Sequence, residues 1–194
     1  MSPKSDRRLI RWGAPSAAIL LCCASHAAYA QFLQIDLGNQ SVNIAVEQHR
    51  FRGFNASLLY TEQNGHQDLL AGAGYTAKSW LLGRAQNFYL STGAKFYATD
   101  VLESYVNTVA WHNVIRIEPR RWQAMELAAV LDYGPSFATF RDGESFWGIA
   151  VQLDYSLSHQ SNAIVGWRRL GVELTGGDEA DIERGGYVGL SWLF

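Results

Sequence analysis

Residues 185–194 read GGYVGLSWLF, with Val188, Leu190, Trp192 and Phe194 at every second position and Gly189 and Ser191 between them. Alternation of large apolar residues with small ones marks a strand with one face in an apolar medium. In water, such a row of aromatic side chains at a chain end would be an aggregation hazard. The same period recurs upstream. In FWGIAVQLDYSL (146–157), Trp147, Ile149, Val151, Leu153, Tyr155 and Leu157 share one face, opposite Phe146, Gly148, Ala150, Gln152, Asp154 and Ser156. In WQAMELAAVLDY (122–133), Met125, Leu127, Ala129, Leu131 and Tyr133 oppose Ala124, Glu126, Ala128, Val130 and Asp132. FYLSTGAKFYA (88–98) and FNASLLY (54–60) repeat the pattern.

These runs are about ten residues long, against a usual strand length of about five or six. Ten residues suit a tilted strand crossing a bilayer, and aromatics near the strand ends suit its interfaces. Strands are predicted near 32–37, 41–49, 53–62, 66–76, 88–98, 104–117, 122–133, 144–157, 161–173 and 185–194. The fold class expected is all-β: a closed antiparallel transmembrane barrel, ten strands preferred to eight, with both termini in the periplasm. Turn lengths then alternate as such barrels require, short inside and longer outside. The stretch 77–87 is long for an inner turn, and NGHQ is short for an outer loop. In 161–173, Trp167, Arg168, Arg169 and Leu170 break the alternation, so a bulge is expected there.

The first thirty residues stand apart. Lys4, Arg7, Arg8 and Arg11 precede a short apolar run, and Ala28-Tyr29-Ala30 supplies a small-x-small cleavage site. This reads as a secretory signal peptide (1–30) followed by a single barrel domain (31–194). Cleavage after Ala30 removes both cysteines and leaves 164 residues with a net charge of −5. A cysteine-free, mildly acidic exported chain excludes disulfide and thiolate chemistry and argues against nucleic acid as a partner.

On the faces opposite the apolar ones lie Asp36, Glu47, Lys95, His112, Arg116, Glu126, Asp132 and Asp154. In a barrel these line the lumen. Their mixed signs suit a paired polar plug, and a narrow selective pore is the sharper alternative. The acidic stretch GGDEADIE (176–183) matches no calcium-loop spacing. No metal ligand is assigned, and no cofactor is implied. Loops 134–144 and 175–185 are the candidates for an outer-surface binding role.

Gly189, Leu190, Trp192 and Phe194 resemble the assembly signal of outer-membrane barrels: a glycine, apolar residues two apart and a terminal phenylalanine. That resemblance implies recognition by the barrel-insertion machinery. Together with this ending, DYGPSFATF (132–140) and QLDYSLSHQSNAIVGWRRLGVEL (152–174) resemble the YfaZ family, and GAKFYATD (93–100) matches more loosely. The resemblance implies a small outer-membrane barrel of a Gram-negative bacterium, in contact with outer-membrane lipid and lipopolysaccharide. It brings no established activity and no catalytic residues, and it leaves the oligomeric state open.

HQSNA (159–163) resembles a second family, the lipid A deacylases, which carry His-x-Ser-Asn-Ala and a downstream glutamate. That resemblance implies His159 as base, Ser161 as nucleophile and Glu173 as orienting acid. Two features oppose it. The barrel topology puts His159 in a periplasmic turn. An extended strand carries Glu173 roughly 35–40 Å away.

Overall fold

The computed structural model describes residues 32–50, 52–63, 66–77, 80–83, 87–102, 104–119 and 124–194. The expected signal peptide at 1–30 lies outside them. The strands are β1 Phe32–Gly38, β2 Ser41–His49, β3 Arg52–Gln63, β4 His66–Thr76, β5 Trp80–Gly83, β6 Asn87–Val101, β7 Ser104–Glu118, β8 Met125–Gly134, β9 Thr139–Arg141, β10 Gly143–Ser156, β11 Ser161–Leu174 and β12 Glu179–Leu193. A 3-10 turn, Ser136–Ala138, precedes β9.

All pairings are antiparallel, and the β6–β7 pairing closes the sheet on itself. Ten strands form the ring, in the order β6, β4, β3, β2, β1, β12, β11, β10, β8, β7. Two short strands sit beside it. β5, in the overlong stretch 77–87, pairs with β6, and β9 extends the β7 edge beyond the end of β8. Closure removes the unpaired edges that an open sheet would expose. Phe32 pairs with Leu193, so the beginning of β1 and the end of β12 share one end of the barrel, called here the terminal end. The hairpins β3–β4, β6–β7 and β11–β12 turn at the far end.

Period two decides which residues face out. Val42, Ile44, Leu58, Val109, Trp111, Leu127, Leu131, Tyr133, Val151, Val165, Trp167, Val188, Leu190 and Trp192 are all exposed on the exterior. Their inward neighbours, among them Asn55, His112, Asp132, Gln152, Asp154 and Ser191, are buried. An apolar outside around a polar inside inverts the arrangement water selects, and it is the arrangement a bilayer requires.

The structure corrects three sequence-based expectations. β11 needs no bulge: Ile164, Arg168 and Val172 point inward and are buried, while Val165, Trp167 and Glu173 point outward and are exposed. Arg169 disrupts the apolar pattern because it faces outward near the far end, where Asp181 receives it. The bulge lies instead in the partner strand. Leu170 pairs with Glu183 and Gly171 with Asp181, so Ile182 is the extra residue. Both Ile182 and Glu183 turn inward. β12 therefore begins at Glu179 rather than near 185, and the connection expected at 175–185 shrinks to 175–178. The loop expected at 134–144 likewise holds the 3-10 turn and β9.

The lumen as candidate functional site

The interior is filled by its own side chains, and the filling differs along the axis. At the far end an apolar layer comprises Leu59, Leu70, Val101, Val106, Phe146, Val172 and Ile182, with Tyr97 at its lower edge. Phe146, Val172 and Ile182 are 0% exposed. Tyr97 on β6 and Phe146 on β10 meet at 4.7 Å between ring centroids. These strands are separated in the ring by β7 and β8, so their contact reaches across the lumen rather than along the wall. Such a tilted aromatic pair adds about 0.5–1.5 kcal/mol to the burial of its area.

The turn above this layer is held by the layer's own neighbours. Leu102, between β6 and β7, has φ of +48°. A left-handed conformation is costly for a leucine and needs support. The buried Asp68 on β4 supplies it through a hydrogen bond to the Leu102 backbone.

Below the apolar layer the lumen is ionic. Arg168 on β11 donates through Nε to Glu183 and through Nη1 to Asp36 at 3.1 Å. Its guanidinium lies 4.6 Å from the centroid of the Tyr187 ring. Ser41 donates to Glu183, Asn43 donates to Asp36 at 2.9 Å, and Tyr187 donates to Gln152 at 3.0 Å. Gly166 leaves space for the Tyr187 ring, and Gly189 leaves space for Asp36: a Cβ at either would collide with them. Gly189 of the expected assembly signal thus has a packing reason of its own, whereas Leu190, Trp192 and Phe194 stand exposed on the exterior.

A second group lies at the terminal mouth. Arg50, in the β2–β3 turn, reaches Asp154 on β10 at 2.7 Å and Glu126 on β8 at 3.6 Å. β2 and β8 lie on opposite walls of the ring, so Arg50 straps the mouth. Arg116 faces Glu126 at 3.6 Å and stacks on Tyr89 at 4.9 Å. Between the two groups, His112 Nδ1 lies 2.8 Å from Asp132, and Lys95 donates to Ser57 at 2.9 Å. Glu47 stands inward beside Phe32 and Asn55.

Every lumen charge expected from alternation therefore faces inward, and most meet a partner of opposite sign. Sequence reasoning missed Arg50, Glu183 and the reach of Tyr97. Arg50 sits in a turn, where period two says nothing. Glu183 was hidden by the bulge that restarts the register. Arg168 was legible from the inward positions 164 and 166 once Arg169 is allowed to face out.

The residues of the deacylase-like pattern are kept apart. His159 is exposed in the turn between β10 and β11. Ser161 shares a 2.8 Å hydrogen bond with Ser158 at the terminal end. Glu173 lies at the opposite end of the same strand, accepting from Ser145 at 3.0 Å. Three acidic residues of 176–183 are also engaged: Arg168 holds Glu183, Arg169 binds Asp181 through Nε at 3.1 Å and Nη2 at 3.2 Å, and Glu179 lies 3.9 Å from Arg169. Among the described residues, no cluster of His, Cys, Asp and Glu is arranged to hold a metal ion.

No family model matches the chain, and no curated protein does. Solved structures do. One is described as KdgM porin, at 11% identity and a TM-score of 0.41. A second is KdgM porin in complex with disordered oligogalacturonate, at 12% identity and the same TM-score. Each alignment covers 85% of this chain and 99% of the other.

Proposed function

We propose that the protein is an integral outer-membrane barrel, its terminal end in the periplasm, that keeps its lumen shut and serves a structural role rather than conducting solutes. Export by a cleaved signal at 1–30, insertion through the terminal strand and kinship with the YfaZ family belong to the same proposal. One observation carries the closed-lumen reading: the Tyr97–Phe146 contact across the lumen, within a layer containing Val172 and Ile182 at 0% exposure. A pore of any solute would need that layer hydrated, and burying polar solutes against it without hydrogen bonds is costly. The ionic layers below support the same reading, because mixed signs cancel the field that would select an ion.

The test is conductance of the purified protein in planar bilayers. Wild type should give no steady current, and Phe146→Ala with Ile182→Ala should give measurable channel openings. Steady ohmic conductance by wild type would replace this reading with a narrow pore.

A further inference from the structure

The barrel wall has a notch. β1 stops at Gly38, opposite Tyr187, and β2 starts at Ser41. β12 continues for another eight residues toward the far end, from Gly186 back to Glu179, with β11 as its sole strand partner there. The top of β3 leans across the gap: Thr61 donates to the Ile182 carbonyl at 3.0 Å, and the Glu62 N–H donates to the Gln40 carbonyl at 2.9 Å. Between the Thr61–Ile182 contact and the Gly38–Tyr187 pair lies the β12 edge at Arg184–Gly186. Gly186 faces outward there, and a Cβ added to it would meet only the Gly166 carbonyl, at 3.7 Å.

Arg184 sits at this edge, exposed and facing outward. Directly opposite it on β11 stands a second arginine, Arg169. Like charges in that position destabilise a strand pair. Arg169 is neutralised by Asp181 and Glu179. Among the described residues, Arg184 takes part in no ion pair.

Depth gives the place in the membrane. Arg184 is eight residues from Trp192 along β12. At about 3.4 Å per residue and a tilt near 40°, that is roughly 21 Å of height, close to the ~25 Å apolar band of such barrels. Trp192 and Arg184 therefore lie near opposite faces of one bilayer. Toward the terminal end from Arg184 the surface is apolar, with Leu37 at 54%, Val188 at 59% and Val165 at 52% exposure and Trp167 beside them.

We propose that this notch binds a phosphorylated lipid of the outer leaflet, with a headgroup phosphate on Arg184 and its acyl chains over Leu37, Val165, Trp167 and Val188. Gly186 faces outward beside Arg184 and carries no side chain to crowd the headgroup. The bare Arg184 guanidinium gains a counter-ion. This rests on outer-membrane residence of the barrel, and the experiment separates the two.

The protein is extracted from outer membranes in mild detergent and its bound lipid is counted by native mass spectrometry. Wild type should retain lipid A. Arg184→Gln should retain about tenfold less, the loss expected for one charge-assisted contact. Arg184→Lys should recover part of it, and Arg52→Gln, at the terminal end, should match wild type. Heat-modifiability and membrane fractionation of each variant report folding and residence independently. Absence of the folded barrel from outer membranes refutes the residence reading. A resident, folded wild type without lipid A, or Arg184→Gln retaining as much as wild type, refutes the lipid site. So does displacement of the lipid by millimolar inorganic phosphate, which would make the notch a free-anion site.

Discussion

The far and terminal halves of the lumen solve the same packing problem with opposite chemistry. At the far end, Val101, Val106, Val172 and Ile182 close around Phe146 as a core does in water. Toward the terminal end, Asp36, Glu183, Asp154 and Glu126 are held by Arg168, Arg50 and Arg116. Removing a fully buried apolar side chain loses its transfer energy and leaves a cavity, whereas removing one member of a buried ion pair strands a charge. The paired state itself contributes little net stability, because desolvation offsets attraction. The apolar layer therefore makes the seal, and the ionic layers fix which strand faces which.

That contrast can be broken at its strongest point. Arg168→Ala leaves Asp36 and Glu183 without their shared cation, and the folded barrel should lose about 3–5 kcal/mol. Urea unfolding in lipid vesicles measures it, and a loss below about 1 kcal/mol would show that water already reaches these carboxylates. Phe146→Ala should cost slightly less, about 3–4 kcal/mol by the same measurement, through a cavity at the centre of the seal. It should also raise bilayer conductance, which Arg168→Ala should not. If Arg168→Ala opens a channel and Phe146→Ala does not, the roles of the two halves are reversed.

The exterior supplies the next test. Leu127 faces lipid and pairs with Leu153, while its neighbour Ala128 is buried inside. Leu127→Arg should cost about 2–4 kcal/mol near mid-bilayer, as should Leu153→Arg. Wild-type stability in both would mean that these side chains do not meet acyl chains. The smallest effect belongs to the strap. The Arg50 side chain is 20% exposed at the mouth, but the Asp154 carboxylate it holds is 1% exposed. Arg50→Gln leaves that carboxylate with Gln152 alone and should cost about 2 kcal/mol, with little dependence on salt. A loss below about 0.5 kcal/mol that vanishes as salt is raised would show that water already reaches Asp154.

Much of this was written along the chain. Alternation in 54–60, 88–98, 122–133 and 146–157 specified strands, their length specified a bilayer, and parity placed Asp36, His112, Asp132 and Asp154 inside, because a strand has only two faces. What alternation cannot carry is the contact between faces. Nothing near Arg50 indicates Asp154, about a hundred residues on, and nothing near Tyr97 indicates Phe146. Those contacts exist only once closure of β6 on β7 curls the sheet and brings opposite walls within a side chain's length. The bulge at Ile182 is likewise invisible to a period-two reading, since one extra residue resets the phase and makes the strand before it resemble a loop. Local pattern thus determined the barrel wall, whose residues answer to lipid and to the nearest strand. Tertiary closure alone decided the lumen, whose residues answer to partners that the sequence keeps far apart.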